Sequence, residues 1–291
     1  MKLTHFRAVA LMVLITLMWS IAGVVTRHLE AARSFEVTYW RSFFTVVSLL
    51  VILPIFQGKA VFLKIRHGGR ALWASGICWS IMFTAFMVAL TMTTVANVLV
   101  TMALSPFITA LLAWVFIGHR IPARTWVAIT LASIGIAWMY GGQMDLGSQL
   151  AGTLVALMVP LASACNWTVV QHSRAHGQKI DLVPSVLVGA VISTLATLPL
   201  AFPFAATAHD VGLLAVLGLF QLAIPCVLAV ICAGVLKAPE VALLALLEVI
   251  FGILLAWVGA GEVPGPSVLT GGALVIGALV VNELIGWRQK A

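Results

Sequence analysis

Thr93, Asn97, Thr101, Ser105 and Thr109 stand four residues apart in an otherwise apolar stretch. On a helix that spacing makes one slowly drifting polar stripe. Inside hydrocarbon such a stripe either joins two helices or lines a wet cavity. Asn97, Thr101 and Ser105 are therefore candidate substrate contacts, with helix packing as the alternative. Pro106 follows in the same stretch. It lacks an N–H and would free the carbonyl of Met102, which makes it a candidate hinge at a kink. Glu248 is the only acidic residue deep in an apolar run. It is a candidate proton site or a partner for a substrate ammonium; the other reading is a buried pair, with Arg41 or a Trp N–H. Arg41 lies six residues into its own run. It can snorkel to the nearer interface as an anchor, or meet a substrate carboxylate.

An apolar surface would accompany these groups. Trp79, Met82, Phe83 and Phe86 recur at helical spacing and would form a wall able to stack an aromatic side chain. Ordinary core or lipid contact explains them equally well. Trp19-Ser20 and Asn166-Trp167 each put a Trp beside a small or polar residue in mid-run, and Gln221 with Pro225 repeats the pairing of a polar group with a helix breaker. Each is a candidate for substrate contact or, for Pro225, a second hinge; a structural hydrogen bond is the competing reading for the polar ones.

Other chemistries find no support. The seven His fall in loops or at the ends of apolar runs, without HExxH-type spacing, so no metal site is expected. No GxxxxGK[ST] loop is present, so ATP hydrolysis by this chain is not expected. The net charge of +7 is spread over short loops, which fits membrane orientation rather than nucleic acid. The four Cys lie within apolar runs without a CxxC and read as small buried hydrophobes. An intramembrane enzyme would need a nucleophile–base pair or metal ligands at one depth, and Glu248 stands alone. No cofactor is expected.

These residues require helices that cross a bilayer. The chain is 62% hydrophobic and 9% charged, with mean hydropathy +1.14, whereas soluble proteins carry about 25% charged residues. Its apolar runs are long and continuous, which excludes a transmembrane β-barrel. Ten spans are predicted, at about 6–27, 35–56, 70–90, 93–117, 122–141, 149–173, 182–203, 209–236, 240–260 and 266–286. The first apolar run is too long for a cleaved signal and reads as the first span. With the N-terminus inside, 13 Lys and Arg fall on the inner side and Arg27 and Arg33 on the outer, Arg41 lying within a span. That bias predicts both termini in the cytoplasm.

The two halves echo each other. Leu111–Gly118 reads LLAWVFIG and Leu254–Gly261 reads LLAWVGAG, 143 residues apart. Over Ala96–Gly118 against Pro239–Gly261, eight of 23 positions are identical. Five spans per half force the second half upside down, as in many secondary transporters. The predicted units are 1–144 and 145–291. Spans 1, 3, 4, 6, 8 and 9 are expected to line a central path. Spans 5 and 10 should pack behind it through the small pairs Ala128/Ala132 and Ala273/Gly277.

Several motifs resemble the drug/metabolite transporter superfamily in its ten-span EamA form. Trp19-Ser20 looks like its early Trp-small pair, and Tyr39-Trp40-Arg41 like the Arg-bearing start of its second span. Ala96-Asn97, Leu104-Ser105-Pro106 and Gly118-His119-Arg120 follow its fourth-span pattern, His119 departing from the usual Glu that Glu262 keeps. Leu247-Glu248 resembles the ninth-span Glu, Val249 replacing a frequent Pro. Overall the sequence looks most like the YddG-type exporters of aromatic and other amino acids. The resemblance implies a non-enzymatic exporter of amino acids, broad in specificity, in a bacterial inner membrane. Its partners would be a small-molecule substrate and the lipid bilayer, with neither ATP nor nucleic acid and a monomer as the expected state. Drug or small-metabolite export on the same fold is the alternative.

Overall fold

The computed structural model describes residues 3–26, 28–32, 34–93, 98, 101–118, 121–140, 150–175, 181–260 and 265–288. Asn97 lies outside these residues. So do Lys2, Arg27, Arg33, His119, Arg120, Gly141, Gly142, Gly147, Lys179, Gly261, Glu262, Pro264 and Lys290 of the orientation and repeat arguments.

Among the described residues the chain is helical, with no strand. The order is α1 (His5–Thr26), α2 (Ser34–Gln57), α3 (Val61–His67), α4 (Gly69–Met92), α5 (Ser105–Ile117), α6 (Ala123–Tyr140), α7 (Leu150–Ala175) and α8 (Ser185–Ala201). Then come α9 (Ala208–Val216), a π-turn (Leu217–Ala223), α10 (Ile224–Cys232), α11 (Ala238–Ala245), α12 (Leu247–Ala260) and α13 (Pro266–Arg288). The helices α9 and α10 run on through the π-turn as one rod. Six helices are long and apolar enough to cross a membrane: His5–Thr26, Phe35–Gln57, Gly69–Ala89, Leu150–Ser173, Ala208–Cys232 and Ala238–Leu255. Four shorter apolar stretches join them, Ser105–Ile117, Ala123–Met139, Ser185–Ala201 and Pro266–Asn282. This is the architecture of a polytopic helical membrane protein.

Polarity runs opposite to that of a soluble protein. Leu14, Val51, Ile55, Trp114, Val115 and Trp138 point outward, while Thr16, Ser42, Thr45, Ser75, Asn166, Ser185 and Ser193 are buried. Hydrocarbon outside demands this, because a polar group facing lipid has no partner. Several buried hydroxyls bond back to their own helix, as Thr16 does to Val13 O at 2.8 Å and Thr45 to Arg41 O at 2.8 Å. Others join helices: Ser42 and Thr84 both meet Ser193 Oγ, at 3.0 and 2.9 Å.

Two close approaches set the helix packing. Helices α4 and α8 meet at Gly76 and Gly189, where a Cβ on Gly189 would stand 2.4 Å from Trp79 Cβ. That contact holds Trp79 in place. Helices α6 and α13 meet at Gly135 and Gly271, where a Cβ on Gly271 would lie 2.5 Å from Gly135 O and 2.4 Å from Met139 Cγ. Ala128 and Ala132 are buried in this pair as the small-residue pattern predicted. Ala273 and Gly277 are not: both are exposed, and α13 turns Gly271, Val275, Ala278 and Leu279 inward instead. The four-residue spacing was right and its phase was one face off. Gly271→Leu is therefore expected to lower the midpoint of thermal unfolding in detergent, through an overpacking cost of about 1–3 kcal/mol. Gly277→Leu, with nothing within 4 Å of its Cβ, should leave it unchanged.

Candidate functional site

Among the described residues the helices line an amphiphilic cavity of about 130 Å³. A single water needs about 10–15 Å³ by that measure, so a small organic solute fits. Its walls are Trp19 from α1, Trp79, Met82, Phe83 and Phe86 from α4, and Trp167 from α7. Trp79 meets Trp167 edge-on, with centroids 5.7 Å apart and planes at 89°, and lies 5.5 Å from Phe83. Helices α6 and α13 contribute no lining residue; α2 does, through Arg41.

Arg41 corrects the picture of an interfacial anchor. It is only 2% exposed and donates through Nη2 to Phe83 O at 2.9 Å, while its Nε has no partner. It cannot snorkel because the rod packs over it. The π-turn lies so near α2 that a Cβ on Gly218 would be 2.9 Å from Arg41 O and 2.6 Å from Phe44 Cβ. Thr45 Oγ1 ties the two together by donating to Gly218 O at 3.1 Å. The π geometry itself shows in Ile224 N–H donating to Leu219 O, five residues back. The wide turn aims Gln221 into the cavity wall, and single π-turns frequently mark functional positions.

Pro106 does not sit inside a continuous helix as expected, whereas Pro225 lies within the rod that runs from Ala208 to Cys232. The predicted span 93–117 is interrupted: α4 ends at Met92, Thr93 is extended, residues 103–104 form a turn, and Pro106 sits in the first turn of α5. Pro225 likewise occupies the first turn of α10, just after the π-turn. A missing N–H costs little at the start of α5. A similar break recurs 142 residues on, one residue short of the 143-residue offset between the echoing segments. Leu104 N–H bonds to Thr101 O at 3.1 Å, and Leu246 N–H to Leu243 O at 3.2 Å, both three residues back. Ser105, directly after the first break, and Glu248, two residues after Leu246, both line the cavity, as do Met102 and Ala245.

Glu248 is half-buried and faces the same cavity as Arg41. Each lies in the other's electric field, but no ion pair joins them among the described residues. Three buried N–H donors around the cavity have no partner: Arg41 Nε, Trp79 Nε1 and Trp167 Nε1. So does one acceptor, Gln221 Oε1. Buried polar groups are normally paired, and all four of these belong to residues that line the cavity.

Of the candidates read from the sequence, Trp19, Trp79, Met82, Phe83, Phe86, Ser105, Trp167, Gln221 and Glu248 line the cavity. Ser20, Thr101 and Asn166 do not. Ser20 donates back to Leu17 O at 2.7 Å, and Thr101 is buried away from the lumen. Asn166 is fully buried and accepts from Ser75 Oγ at 2.6 Å, within a chain that continues to Ser185 at 2.8 Å. Asn166 thus joins α7 to α4 and α8. Pro160, Ser163 and Cys226 also line the cavity without having been singled out. Pro160, a helix breaker in mid-run, was the one legible signal among them.

A multi-span helical protein with an amphiphilic cavity at interrupted helices has the features of a membrane transporter. Residues 6–141 match the EamA-like transporter family. It is 23% identical to the pseudopaline exporter CntI of Pseudomonas aeruginosa strain UCBPP-PA14 over 276 residues, 94% of each chain. The protein of the same name from strain ATCC 15692 matches equally. A solved crystal structure of a protein shares the fold, with TM-score 0.78 and 16% identity over 97% of this chain and 99% of that one.

Proposed function

We propose that this protein is a secondary transporter that exports amino acids, aromatic and other neutral ones, across a bacterial inner membrane by alternating access. Ten spans form two inverted five-helix repeats, 1–144 and 145–291, with both termini cytoplasmic. The carrying observation is one cavity that holds a guanidinium, a carboxylate and an aromatic wall. Arg41 and the free indole N–H groups suit a substrate carboxylate, Glu248 suits an ammonium, and Trp19, Trp79 and Phe86 suit an apolar side chain. The charge bias supports the orientation. The similar helix breaks 142 residues apart support the repeat, since transporters of this kind bind substrate at discontinuous helices.

Export of another small metabolite on the same scaffold is the second reading, favoured by the relative whose name gives pseudopaline as its cargo. Liposomes separate the two. Purified protein should carry labelled Phe and Thr, measured with and without a pH gradient, in preference to an organic cation. Absence of amino-acid flux in a folded preparation would end the first reading and leave the second.

A further inference from the structure

At the end of the bundle away from the N-terminus, two carboxylates are buried, and among the described residues the basic side chain beside them is His209, whose Nδ1 stands 3.9 Å from Asp210 Oδ1. Asp210, at the start of α9, is fully buried. It accepts from the backbone N–H groups of Glu30, Ala31 and Ala32 at 2.8, 2.9 and 3.0 Å. Those residues belong to the α1–α2 loop, in the other half of the chain. Glu36, at the start of α2, is 1% exposed. It accepts from Ala206 N at 2.8 Å and Ala205 N at 3.0 Å, in the loop that precedes α9. Each half thus carries a carboxylate that holds the other half's loop.

Ordinary helix capping explains only part of this. Asp210 does complete a capping box with Thr207. A capping box does not call for three N–H groups from a loop some 180 residues away. Those loop donors have no helix to satisfy them, and the two buried carboxylates supply their acceptors across the join. Stacking reinforces the join: Phe204 lies 5.3 Å from both Tyr39 and Trp40, and Trp40 Nε1 donates to Glu36 at 3.4 Å. On the rim, Thr207 Oγ1 donates to Glu30 at 3.2 Å and His209 stands 3.8 Å from Glu30.

The same two rods carry cavity residues. Arg41 is five residues from Glu36 on α2, about 7 Å along the helix, and Gln221 is eleven residues from Asp210, about 16 Å. Releasing the loops frees the ends of the rods that hold the binding groups.

We propose that Glu36 and Asp210 form a reciprocal latch that closes the cavity at this end and must release for it to open there. The proposal rests on the alternating-access reading. Cys226 lines the cavity and is buried, so it reports opening without any substrate. The test protein keeps Cys226 and has Cys78, Cys165 and Cys232 replaced by Ala. An impermeant maleimide is applied to each face of oriented vesicles separately. Glu36→Gln with Asp210→Asn should speed labelling from the latch face about fivefold or more, with no rise from the other face. An unchanged rate, or an equal rise from both faces, overturns the latch. A second variant covers misfolding. Glu30→Cys with His209→Cys in a Cys226→Ala background, bridged by a short bifunctional thiosulfonate, should lose Phe flux and regain it on reduction. Bridged protein that transports at the unbridged rate overturns the proposal as well. If Phe is not carried at all, the substrate reading fails while the Cys226 labelling still decides the latch.

Discussion

Arg41→Gln is expected to raise the apparent KM for phenylalanine export by about 10–100-fold, the size of one lost charge-assisted hydrogen bond. The guanidinium is buried against the cavity, one arm spent on Phe83 O and its Nε free. A substrate carboxylate would supply the missing partner. Liposome counterflow with Phe and with phenethylamine, which lacks the carboxylate, separates binding from packing. Binding predicts that Phe transport falls while phenethylamine transport does not. A merely structural Arg41 predicts that both fall together with the unfolding midpoint. Arg41→Lys should recover only part of the effect, because an ammonium cannot donate to Phe83 O and to a carboxylate in the planar fork geometry.

Glu248→Gln should produce the complementary pattern. The carboxylate stands just past a helix break, without an ion pair among the described residues, in a cavity whose other surfaces are mostly apolar. A buried carboxylate there gains from a substrate ammonium and loses that gain as the amide. Phe transport should weaken about 10-fold or more, while 3-phenylpropionate, which lacks the ammonium, should be carried no worse. If flux and its pH dependence both survive the substitution, Glu248 serves packing alone. The two variants together test whether the site reads both ends of a zwitterion.

The aromatic candidates were legible because a helix repeats every 3.6 residues. Trp79, Met82, Phe83 and Phe86 had to share a face, and that face meets the cavity. Polar residues were less legible, for a physical reason. In hydrocarbon a hydroxyl or amide is equally content with a neighbouring helix and with a wet lumen, so Ser20 and Asn166 carried the same signal as Ser105 and Gln221. Small residues behaved similarly: the spacing of Ala273 and Gly277 suggested a packing face, yet Gly271 and Val275 form it. Arg41 was misjudged because six residues from a helix end is within snorkelling reach, unless another helix covers it. The π-turn at Gly218 does cover it.

By itself, then, the sequence determined a polytopic helical membrane chain and the aromatic face of α4, since hydrophobicity and helical period are local properties. Tertiary structure alone decided that Arg41 and Glu248, 207 positions apart in the chain, open onto one void. It alone decided that Asp210 and Glu36 grip loops of the opposite half. A buried charge takes its meaning from what packs against it, and that partner lies on another helix, where no periodicity along the chain can point.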